Sequence, residues 1–188
     1  MKNFLLVLLS IIIFSSAVNA SETDYRQIYM DLEPANFSYV HNMDPNQFYD
    51  NKKATWSPYP LFRLSSPLYF KTTIVESGYY LLTPTVHKGK DYMLFKQEGL
   101  VKYIIPVYKK EFVPQGFYET HIPKQKLKIT QRMSKNFYAF IGKVFGSSQQ
   151  KPTPQCYLEA EDLDNNFVSI IVYYGPHRYY TIFRTVRF

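Results

Sequence analysis

Seven cations with no acid among them lie between residues 120 and 158: Lys124, Lys126, Lys128, Arg132, Lys135, Lys143 and Lys151. Side chains of this type hold anions, through point charges and through forked hydrogen bonds to phosphate or carboxylate. Their seven charges equal the formal net charge of the whole chain, +7. Lys124, Lys126, Lys128, Arg132, Lys135 and Lys143 are therefore the candidate binding residues, with Lys128, Arg132 and Lys135 at their centre. The competing reading is a plain solvated face. Residues 22–50 carry the opposite sign: Glu22, Asp24, Asp31, Glu33, Asp44 and Asp50 against the single base Arg26. Either the two segments neutralise each other within the fold, or the basic one faces outward to an anionic partner.

Other reactive side chains are sparse. Cys156 is the only cysteine, so no intramolecular disulfide forms. With His121 or His177 it would make a thiol dyad of the kind used by Cys-dependent cell-wall enzymes. Its context, Pro154-Gln-Cys-Tyr-Leu158, carries none of the Gly, Ser or Asp neighbours such a nucleophile keeps. No Gly-x-Ser-x-Gly elbow occurs, and the four histidines are far apart in sequence. Asp162, Asp164 and Asn166 fall at the first, third and fifth places of a calcium-loop pattern. Phe167 stands where Gly is required and Tyr173 where a bidentate Glu is required, so a polar turn is the better reading. The sequence thus names no catalytic residue, no metal site and no cofactor. Tyrosine pairs at 79–80, 173–174 and 179–180 would place one ring of each on the outer face of a strand. There they either offer an aromatic surface or serve as half-buried strand residues, and we favour the second.

The elements that would position these groups follow from the pattern of the chain. Met1-Lys2, the apolar run Phe4–Phe14 and the small-x-small close Val18-Asn19-Ala20 read as a signal peptide over 1–20. The expected localisation is periplasmic or secreted. Residues 21–60 hold four prolines and weak periodicity, and read as an irregular, acidic, aromatic arm lying over a sheet. Residues 61–188 read as a β-rich domain. Leu68–Val75 is one β-branched and aromatic strand, and Tyr79–Thr83 is another, stopped by Pro84. Two runs flanking Glu98-Gly99 make a hairpin, and two more flank Gly175-Pro-His177. Apolar residues at spacings of 3 and 4 predict a helix near 134–145, with Ser134 as its cap and Gly146 as its stop.

The expected fold is mainly β: an antiparallel sandwich or open barrel with one or two helices. The expected role is that of an exported, non-enzymatic protein of the cell envelope or secretome. Its basic face would meet an anionic polymer, a lipid surface or an acidic protein, and intracellular nucleic acid is excluded by the export signal. The alternatives are a small outer-membrane β-barrel, suggested by the alternation from Tyr180 to the terminal Phe188, and the Cys-dependent enzyme.

Overall fold

The computed structural model describes residues 23–46, 59–122 and 154–187. Among these residues ten strands pair antiparallel in two sheets. The first sheet holds β1 (Leu61–Leu64), β4 (Gly78–His87), β5 (Lys90–Gln97) and β6 (Leu100–Pro106), in the order β1-β4-β5-β6. The second holds β2 (Leu68–Phe70), β3 (Thr73–Val75), β7 (Lys109–Phe112), β8 (Cys156–Leu163), β9 (Phe167–Tyr174) and β10 (His177–Arg184). Its order is β3-β2-β10-β9-β8, with β7 paired to the first half of β10. The sheets are not closed into a barrel. Two short helices accompany them, α1 (Tyr25–Asp31) and α2 (Phe117–His121). The helix expected near 134–145 lies outside the described residues.

Strand alternation builds one core from both sheets. Phe62, Leu64, Tyr80, Leu82, Met93, Phe95 and Ile105 face inward from the first, and Ile170, Val172, Tyr179 and Phe183 from the second. Phe95 and Phe183 meet across the interface edge to face, with ring centroids 5.8 Å apart. Such contacts add to the area that large aromatic side chains already bury.

Turn chemistry matches the two hairpins expected from sequence. Glu98 and Gly99 both have positive φ (54° and 78°), as a primed two-residue turn between β5 and β6 requires. Gly175 at φ 58° with Pro176 closes β9 onto β10, and His177 is already the first residue of β10.

Two expectations are corrected. Leu68–Val75 is not one strand: it folds back at Lys71 (φ 51°) into the β2–β3 hairpin. The arm stabilises that fold-back, because the Lys71 backbone N–H donates to the Tyr29 hydroxyl at 2.6 Å. Pro84 does not stop β4, which continues to His87. The β1 pairing ends at Leu61↔Leu81, so on that side of β4 the missing N–H of Pro84 interrupts no ladder.

The arm is also more ordered than its breakers suggested. Asp24 caps α1, accepting from the Gln27 N–H at 3.1 Å. Tyr29 then packs against Phe70 and Phe167 of the second sheet. Further along, Phe37 stacks on His87 and meets Tyr92 edge to face. Asp44 next forms a buried ion pair with Lys96, the two side chains being 2% and 5% exposed. Lys96 stands where the β5–β6 register shifts, on the opposite face of β5 from Phe95.

Candidate functional site

Four cations far apart in the sequence converge beside α1. Arg26 and Met30 belong to the helix. Lys71 is the turn residue of β2–β3, where its positive φ and the Tyr29 contact hold it. Its ammonium donates to the Met30 carbonyl at 2.8 Å. Arg184 ends β10, opposite Phe167 on one side and Tyr69 on the other. Its guanidinium lies over the Phe167 ring, 5.6 Å from the centroid. Arg187 follows in the tail. That tail is pinned by Thr185, whose N–H and hydroxyl both donate to the Asn166 carbonyl, at 2.9 and 3.2 Å.

Two adjoining clefts result, sharing Tyr29, Met30 and Arg184. One, of about 660 Å³, is lined by Arg26, Asn165, Asn166 and Phe167 in addition. The other, of about 580 Å³, adds Tyr69, Lys71, Ile74, Val186 and Arg187. Among the described residues, no carboxylate lines either cleft. A smaller hollow at the start of α1 is lined by Asp24 and Asp164 together with Arg26, so Arg26 stands at the border between these acids and the larger cleft. Like charges gathered on one concave wall reinforce each other's field and raise the local concentration of anions. The arrangement can therefore hold an anionic group.

The other charge cluster of the second sheet is closed on itself. The Glu111 carboxylate is bound by Lys109 (2.8 Å), Arg178 (2.7 Å) and the Tyr180 hydroxyl (2.9 Å). The Lys109 hydrogen bond, followed by those of Tyr180 and the nearby Arg178 charge, holds this carboxyl below the usual range against the opposing pull of burial. Beside it Phe117 of α2 stacks on Tyr173 at 4.2 Å, and the Tyr173 hydroxyl donates to Glu159 at 3.0 Å. Both tyrosines of the 179–180 pair are buried, as are Tyr173 and Tyr80, whereas Tyr79 is exposed. The paired tyrosines are thus mostly packing residues.

The six residues singled out from sequence, Lys124, Lys126, Lys128, Arg132, Lys135 and Lys143, lie outside the described residues. The arm's acids are placed elsewhere. Asp24 caps α1, Asp31 accepts from the Gln27 amide, Glu33 pairs with Lys90 and Asp44 with Lys96. Cys156 opens β8, half-buried, and burial pushes its thiol up. Among the described residues it has no hydrogen bond to His121 or His177. His121 instead turns Nδ1 to the Phe117 carbonyl and the Thr120 hydroxyl, and His177 packs on Phe112. Asp162 belongs to β8, and Asp164–Asn166 form the β8–β9 turn, with Asn165 and Asn166 at positive φ. Among the described residues, no three His, Cys, Asp or Glu side chains gather as metal ligands.

The cationic cleft was not found from sequence because its members are separated by up to 161 positions (26 to 187). The β2–β10 and β9–β10 pairings, with the packing of Tyr29 of α1 on Phe70 and Phe167, bring them together. Comparison with family models, with curated proteins and with solved structures gave no match.

Proposed function

We propose that this chain is an exported, non-enzymatic protein of the cell envelope or secretome that binds an anionic component through basic surface. The observation that carries the reading is the pair of adjoining clefts beside α1, lined by Arg26 in one, Lys71 and Arg187 in the other and Arg184 in both, with no carboxylate among the described lining residues.

Export rests on the N-terminal pattern alone, and the packing of two sheets over one core suits a sandwich that works by its surface. The thiol-enzyme alternative gains nothing from Cys156, because a nucleophilic cysteine needs its pKa lowered, not raised.

The test is sedimentation of the isolated protein with anionic cell-wall polymer and with anionic vesicles, against neutral controls. Binding to at least one anionic partner that weakens steeply with salt is expected. Arg26→Glu/Arg187→Glu reads the contribution of the cleft, and Lys128→Glu/Arg132→Glu/Lys135→Glu that of the segment. Equal binding to neutral and anionic partners, or none to either, would remove the proposal.

A further inference from the structure

The cleft's cations are accompanied by apolar side chains that an anion alone does not call for. Met30 is 63% exposed and Val186 43% exposed, and both line the same cleft as Lys71 and Arg187, with Ile74 and Tyr69 between them. Exposed single apolar residues are ordinary on a protein surface. The combination here is not, because the apolar rim and the cations share one concavity. Phe112 makes the contrast. It is 75% exposed, but the lysines beside it on β7 are already paired, Lys109 with Glu111 and Lys110 with Asp91.

We propose that this cleft docks on the anionic phospholipid of a membrane surface. Lys71 and Arg187 of this cleft, with Arg26 of the adjoining one, take the phosphates, while Met30 and Val186 enter the interfacial layer beneath them. The proposal rests on the anion-binding reading above and narrows it to one ligand class and one place. Charge complementarity selects the lipid phosphate. The apolar rim selects a lipid over a soluble polymer, since a polymer of phosphates or uronates gains nothing from a methionine. Long cationic side chains suit this position, because their aliphatic stems lie along apolar surface while their heads reach the phosphates. Basic residues near an anionic membrane each strengthen binding by about fivefold.

The experiment measures binding of the protein isolated from its host to vesicles of phosphatidylcholine, with and without phosphatidylglycerol, and to soluble polyphosphate. Arg26→Gln/Arg187→Gln is expected to weaken binding to the anionic vesicles by about 25-fold, and to weaken polyphosphate binding as well. Met30→Ser should weaken vesicle binding by about fivefold and leave polyphosphate binding unchanged. Both variants alter exposed side chains, so folding is preserved. If the wild-type protein binds anionic vesicles and neither variant changes that, anion binding stands but the cleft is not its place, and the proposal is overturned. If it binds polyphosphate and not vesicles, or Met30→Ser weakens both equally, the ligand is a polymer and the membrane assignment falls. If it binds neither, the anion-binding reading fails and takes this proposal with it.

Discussion

Among the described residues, Lys96 and Asp44 form the most deeply buried ion pair. Both are almost fully buried, and a charge left alone in such a place loses several kcal/mol. The pair is not left to Coulomb attraction only. Asp44 also accepts from the Asn46 N–H at 3.0 Å, and the Lys96 ammonium lies 5.7 Å from the centroid of the Tyr59 ring. Lys96→Met should destabilise the protein by about 3–5 kcal/mol, because Asp44 is then buried without its partner. Lys96→Met/Asp44→Leu should recover most of that loss. Urea unfolding midpoints read both, and a double variant as unstable as the single one would show that the arm depends on the charges themselves. Residue chemistry also sets the pH response. Tyr80 donates to the Glu76 carbonyl and Tyr118 to the Gly175 carbonyl, bonds that tyrosinate cannot make. Burial is the main cause of pushing both phenols from 10 up to about 12. A raised folded-state value means that this stabilisation is complete below pH 10. It is lost as pH rises from 10 through 12. Unfolding free energy followed over that window should fall, with Tyr80 and Tyr118 among several late-titrating phenols in the ultraviolet spectrum. Cys156 follows the same logic: its alkylation rate should reach half-maximum above the pH of about 8.5 typical of a free thiol.

At the scale of elements, the arm decides more than its sequence suggested. The Asp24-x-x-Gln27 spacing is the signal that would have revealed α1, because an acidic N-cap three residues before Gln resembles a capping box. Apolar periodicity over seven residues is too brief to show the same helix. The strands were more legible, since alternation is explicit in β9 and β10 and the Glu98-Gly99 and Gly175-Pro176 turns require the glycines present. The β2–β3 hairpin was not. Its turn residue is a lysine with positive φ, held by a tyrosine 42 positions away, and no local rule reports that. Tyr29→Ala removes the ring between Phe70 and Phe167 together with the acceptor of the Lys71 N–H. It should cost about 3–5 kcal/mol. It should also open residues 23–46 to protease, and limited proteolysis with mapping of the cut sites measures this. Cleavage no faster than in the wild-type chain would mean that α1 is held by something other than Tyr29.

For the whole molecule, the sheets supply a platform and the arm covers it. Fold class was readable because patterning and turn residues are local properties, whereas a surface is assembled from distant ones. The sequence drew attention to Lys124–Lys143 because those charges are adjacent. The cleft escaped because Arg26 stands within an acidic stretch and Arg184 and Arg187 read as strand ends. Charge in a fold is decided by who sits beside whom. Lys90 and Lys96 of β5 are taken by arm carboxylates, while among the described residues no carboxylate lines the clefts beside α1. The central claim is that anions bind there. Amide hydrogen exchange of the isolated protein with and without polyphosphate tests it directly. Slower exchange at 26–31, 69–72 and 184–187 is the result this account predicts. Unchanged exchange in all three stretches, with polyphosphate demonstrably bound, would contradict it.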